Sequence, residues 1–212
     1  MSTTAKGIGM RRVALLALAL VGTAFGVEVE LKWDNGAPSY AVNAPGVGAD
    51  RFGDDFTVIG TLKTKYVAVR RFRIYTADNW PNAGWEGFFL SLYDFRGVPA
   101  SQIWPTSGGY AFFKPTGTGW GWYDYSLDFP FEGTEFMAAA AAAYNWPNCD
   151  PLMVDANAAP RRHSWAYYQG SWAALEGPYG YSNLMLRIVV ETAARYPAVA
   201  PSSWGRIKSL YY

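Results

Sequence analysis

Apolar and polar residues alternate with a period of two along most of the chain. Val27, Val29, Leu31 and Trp33 alternate with Glu28, Glu30 and Lys32, the pattern of a strand with one buried face. Similar runs over 56–62, 66–76, 88–95, 110–113, 120–129, 152–155, 163–168 and 184–191 predict further strands. Within 66–76 the alternation changes phase at Arg70-Arg71, which predicts a β-bulge or an edge position there. Clusters of Gly, Pro, Asn and Ser separate the runs and suit turns. Many strands without intervening amphipathic helices predict an all-β, antiparallel sandwich or barrel.

One segment reads two ways. Residues 138–143 are six consecutive alanines after Phe136 and Met137, with Thr134 as a potential N-cap and Asn145 and Pro147 as stop signals. Local propensity favours a helix over 135–144. A central strand between closely packed layers accommodates the same run, because small side chains let neighbours approach. A short repeat also recurs: Asn79-Trp80-Pro81-Asn82 returns as Asn145-Trp146-Pro147-Asn148. Proline fixes such a turn and asparagine tolerates its left-handed positions, but two copies of four residues do not make a repeat architecture.

The N-terminus departs from the strand pattern. Lys6, Arg11 and Arg12 precede an apolar run from Val13 to Val21, and Ala24 and Gly26 flank Phe25 like a small-residue cleavage site. Residues 1–26 therefore read as an export signal peptide, 27–191 as one β-sandwich domain and 192–212 as a short tail. No segment is long and apolar enough to predict a membrane span. Without Lys6, Arg11 and Arg12, 15 Lys+Arg face 17 Asp+Glu, a net −2 that argues against an electrostatically driven nucleic-acid partner. One Cys and one His leave no internal disulfide, cysteine-based zinc site or multi-histidine metal site. Cys149 reads as a buried, inert thiol.

The aromatic content, 12 Phe, 15 Tyr and 10 Trp, directs attention to binding surfaces. As a strand, 120–129 places Tyr123, Tyr125, Leu127 and Phe129 on a core face and Trp120, Trp122, Asp124, Ser126 and Asp128 on the other. Indole beside carboxylate suits a sugar ring, whose C–H face stacks on the indole while its hydroxyls donate to the acid. The alternative is that these tryptophans pack beneath a loop. Trp80, Trp85 and Trp146 lie in or beside the loops of the repeat and would form a second aromatic rim if those loops share one end of the fold.

Other chemistry is sparse. Asp34-Asn35-Gly36 and Asp54-Asp55 are oxygen-rich, but EF-hand spacing is absent and Asp-Asn-Gly is first a turn signal, so no metal is assigned. His163 and Ser164 are adjacent, so a strand would point them to opposite faces and away from a nucleophile–base contact. No Gly-x-Ser-x-Gly elbow occurs, and the glycines at 117, 119 and 121 lead into a strand rather than a phosphate-binding helix. No catalytic residue and no cofactor is assigned.

The order of landmarks from Leu31 to Glu191 resembles a β-sandwich module of secreted bacterial proteins, of the kind found beside peptidases and cell-surface sorting domains. The resemblance rests on Trp33-Asp34-Asn35-Gly36, Val69-Arg70-Arg71-Phe72-Arg73-Ile74-Tyr75, the 88–93 run and Gly97-Val98-Pro99 before a short apolar strand. It continues through Gly121-Trp122-Tyr123-Asp124-Tyr125, His163-Ser164-Trp165 and the run from Asn183 to Val190. It implies a jelly-roll-like two-sheet sandwich with no established catalytic residues, and it implies a strand over 136–143. The chain shows neither an attached enzyme nor a sorting domain.

Three functional expectations follow. The first is a secreted, non-catalytic protein that binds a polysaccharide or another cell-surface ligand through exposed aromatics. The second is a structural subunit of an extracellular filament or coat, self-assembling through the tail that ends Leu210-Tyr211-Tyr212. The third is a hydrolase using paired carboxylates, for which 17 acidic residues supply no specific signal.

Overall fold

A computed structural model describes residues 26–42, 51–62, 64–78, 87–106, 109–117, 119–144, 149–156, 161–168, 170–175 and 183–192. The expected signal peptide apart from Gly26, the tail beyond Thr192 and both copies of the tetrapeptide lie outside the described residues.

The chain is all-β, and every strand pairing is antiparallel. In order, the strands are β1 (Glu28–Leu31), β2 (Tyr40–Val42), β3 (Arg51–Thr57), β4 (Tyr66–Asp78), β5 (Phe88–Phe95), β6 (Pro99–Trp104) and β7 (Ala111–Phe113). They continue as β8 (Gly119–Glu132), β9 (Glu135–Ala142), β10 (Leu152–Asp155), β11 (Ser164–Tyr168), β12 (Ser171–Ala174), β13 (Asn183–Leu184) and β14 (Leu186–Thr192). They form three sheets: a four-stranded one, β1-β14-β4-β8; a three-stranded one, β13-β10-β2; and a seven-stranded one, β12-β11-β3-β9-β5-β6, in which β7 also pairs with β5. One of these sheets curls into a half-barrel.

Most of the predicted strands are present, and three local readings resolve. The phase change at Arg70-Arg71 is a bulge: β4 slips register against β8 between Val69 and Arg71. The alanine-rich segment is strand β9, hydrogen-bonded between β3 and β5 and buried on both faces. Alanine here sets sheet spacing rather than helix propensity. The predicted strand 56–62 is different: β3 runs earlier, and Val58–Leu62 form a short helix, α1. Val58 and Leu62 are one helical turn apart, so both still reach the core. The buried aspartates 54 and 55 hide the true strand from a hydrophobic pattern.

One face of the four-stranded sheet and one face of the large sheet enclose the main core with the three-stranded sheet. Phe131 on β8 meets Phe136 on β9 at 5.1 Å across the turn that joins the two sheets. Phe72 packs on Trp104, and Tyr125 on Phe113. Tyr123, Tyr125, Leu127 and Phe129 all face this core, as their alternation requires. The remaining face of each large layer carries the functional candidates.

Candidate functional site

The outer face of the four-stranded sheet is a lattice of ion pairs. Register places Arg187 beside Arg73, Arg73 beside Asp124, and Tyr75 beside Trp122. Arg187 donates from Nε (2.9 Å) and Nη2 to the two carboxylate oxygens of buried Asp34, and from Nη1 to Glu30 at 2.9 Å. Arg73 bridges Glu30 at 2.6 Å and Asp124 at 2.9 Å. Beyond them, Arg71 reaches Glu28 and Arg70 reaches both Asp128 and Glu191.

This lattice holds Trp122, Asp124 and Trp120 on one face. The Arg187 guanidinium lies 3.9 Å from the centre of the Trp122 ring, and Tyr75 meets that indole edge-on at 5.4 Å. One face of Trp122 is thus covered by a cation, and Asp124 serves Arg73. Trp120 remains 44% exposed at the start of β8. Trp80, Trp85 and Trp146, the expected second rim, lie outside the described residues.

The lattice also sets local acidity. Burial alone would push the Glu30 carboxyl up, but the hydrogen bond from Arg73 and the charges of Arg187, Arg73 and Lys32 outweigh it. Glu30 is therefore held below the usual carboxylate range. Burial opposes protonation of Arg187, yet Asp34 and Glu30 raise its affinity for the proton. Elsewhere, burial and then the negative charge of Asp150 push the Cys149 thiol up to about 11, which leaves it inert at neutral pH.

A second surface lies on the far face of the large sheet, and sequence reasoning did not find it. Side chains from six strands line up there across the sheet. Trp172 pairs with Tyr167, Tyr167 with Arg51, Ala141 with Phe89, and Phe89 with Phe112. The neighbouring Phe52–Ala140 pair puts Ala141 beside Arg51, so these residues form one continuous row. The next row is small: Trp165 pairs with Gly53, Gly53 with Ala139, and Ala139 with Ser91. Tyr93 and Trp172 pack edge to face at 5.5 Å, as do Phe95 and Trp165, and together they bury that small-residue strip.

Arg51 stands in the middle of the row. Its two terminal nitrogens donate to the hydroxyls of Tyr93 and Tyr110, and its guanidinium carbon lies 4.9 Å from the Tyr110 ring centre and 5.6 Å from that of Tyr167. Tyr110 is 42% and Phe112 49% exposed, and both rings contact Phe89. The signal in the sequence was the spacing of Tyr110 with Phe112 and of Trp165 with Tyr167, each pair two apart on a predicted strand.

Below this row, Asp55 ties three segments together. One carboxylate oxygen meets His163 Nδ1 at 2.7 Å, and the other accepts from Trp165 Nε1 at 2.6 Å. The Asp55 backbone carbonyl accepts from Trp33 Nε1 at 2.7 Å, while the Trp33 ring stacks on His163 at 3.7 Å. Ser164 points the other way, donating to Asp54 at 2.6 Å, so His163 and Ser164 are on opposite faces as their adjacency predicts. The oxygen-rich clusters at Asp34 and Asp54-Asp55 thus accept hydrogen bonds from side-chain donors. Among the described residues no group of three or more His, Cys, Asp or Glu is arranged to hold a metal ion, and no helix is long and apolar enough to cross a membrane.

No family model matches the chain, and no curated protein matches it.

Proposed function

We propose that this is an exported, non-catalytic β-sandwich protein of jelly-roll-like type that binds a saccharide through surface aromatics, with the contact made on the far face of the large sheet. The observation that carries this reading is the transverse row from Trp172 to Phe112, where Phe112 on β7 and Tyr110 just before it are exposed against Phe89. Aromatic rings held by strands bind flat C–H faces with little loss of side-chain freedom. The Trp122 face supports this less well, because Arg187 already stacks on that indole.

A Tyr110→Ala/Phe112→Ala variant is expected to lose about tenfold in affinity for the polysaccharide that retains the mature protein, with its thermal midpoint unchanged. Undiminished retention of the folded variant overturns this placement. Loss of retention in Trp120→Ala alone would move the ligand to the four-stranded sheet.

A second reading, self-assembly, is favoured by β8. This 14-residue strand ends the four-stranded sheet and has no partner on its outer edge among the described residues. Light scattering on the same samples separates the two readings, since a strictly monomeric species removes the second.

A further inference from the structure

We infer that the aromatic face is selective for an acidic saccharide, a glycan carrying a uronic-acid carboxylate, and that Arg51 receives this carboxylate. The inference rests on the saccharide-binding reading above and adds the class of sugar.

Arg51 differs from the arginines of the opposite sheet. Arg70, Arg71, Arg73 and Arg187 each reach at least one carboxylate, whereas Arg51 reaches none among the described residues. The nearest acid on its own strand and face, Asp55, already serves His163 and Trp165. Among the described residues the Arg51 charge is offset by tyrosine rings and hydroxyl oxygens, and its Nε–H is buried without an acceptor. Ser91 Oγ, on the same face, is also buried without a partner among the described residues. A guanidinium has five N–H donors, and two are used here by tyrosines.

Tyr110 extends this donor set. The Tyr110 phenolic oxygen accepts from Arg51, so its own O–H remains free to donate outward, while buried Tyr93 fixes the other terminal nitrogen of the guanidinium. Donation from a cation polarises the phenol and strengthens that outgoing bond. The result is a cation and one exposed hydroxyl donor, that of Tyr110, converging between aromatic rings, which suits a planar anion. Arg51 lies between Tyr167 and Phe89 in the row, so a pyranose stacked over Phe89 and Tyr110 would carry its ring substituent to the guanidinium. Because the bond is charge-assisted, affinity should fall as salt is added.

The test uses the mature protein and three probes on one scaffold: a galacturonate oligosaccharide, its neutral galactose counterpart and a sulfated galactose oligomer, measured by calorimetry. The expected result is that the galacturonate oligomer binds at least about tenfold more tightly than the neutral one. Arg51→Met should bring the acidic-to-neutral affinity ratio to about one, whatever it does to neutral binding itself. Should Arg51→Met fail to fold, Tyr110→Phe keeps the ring, removes the exposed hydroxyl donor and should lower the acidic-to-neutral affinity ratio. Equal binding of acidic and neutral probes by the wild-type protein overturns this inference and leaves the saccharide reading standing. Tighter binding of the sulfated oligomer than of the galacturonate overturns the carboxylate assignment. Absence of binding to all three probes removes the underlying reading itself.

Discussion

Arg187 shows what one side chain contributes here. It is nearly buried, bonds two carboxylates and stacks on an indole, so its removal would leave Asp34 charged and enclosed without a cation. Breaking a buried pair in this way is expected to cost about 3–5 kcal/mol. Arg187→Met should therefore lower the unfolding free energy by that amount in urea titration. Adding Asp34→Leu should restore much of the loss, because the orphaned charge goes with it. Restoration absent in the double variant would locate the cost in Trp122 packing instead. The sequence placed Trp122 on the outward side of β8 correctly, through alternation alone. It could not show that a cation 65 positions away covers the ring, because cross-sheet neighbours have no local signature. Likewise Asp34 read as a turn residue, and only the fold reveals its second role as the counter-ion of Arg187.

At the scale of single elements, β9 and β3 explain why alanine and glycine occupy central positions of a β-sheet. A Cβ on Gly53 would sit 2.5 Å from the Ala138 carbonyl oxygen and 3.1 Å from the Ala139 Cβ. The first contact is with backbone, which cannot rotate away. Gly53→Ala is expected to destabilise the fold by about 1–3 kcal/mol, and Gly53→Val by more, measured as a shift in denaturation midpoint. A neutral Gly53→Ala would show that β3 and β9 can separate and that the alanine run does not set their spacing. The alanine run was readable as helix or strand because propensity and packing pull in opposite directions there, and burial on both faces decides for packing. Strand β3 was misplaced for a related reason. Its acidic residues 54 and 55 are interior, held by Ser164, His163 and Trp165, all of which arrive from β11 or the residue preceding it. Three-residue β2 and four-residue β12 are too short for a periodic signal, and they form because neighbours pair with them.

For the whole molecule, the two outward faces divide the polar and aromatic work between sheets. Alternation along the chain identifies strands and their sides, yet it does not say which strands are neighbours, so the row assembled from β12, β11, β3, β9, β5 and β7 was invisible before the topology was known. The same topology concentrates charge on the four-stranded sheet, and that gives a pH dependence with a definite sign. Glu30 has a folded-state pKa below its ordinary value of 4.5, through Arg73 and Arg187 acting against burial. A carboxylate of this kind stabilises the fold fully above its unfolded value, and the contribution is lost as pH falls through the folded value. Unfolding free energy should therefore decline as the solution is acidified below the ordinary glutamate range, and hold steady above it as far as this group is concerned. Glu30→Gln is expected to be less stable at neutral pH and to flatten the acid limb of the profile, measured by denaturant titration across a pH series. An acid limb of unchanged slope in that variant would show that Glu30 does not couple protonation to the fold, and that Asp34 and Asp124 suffice to hold Arg187 and Arg73.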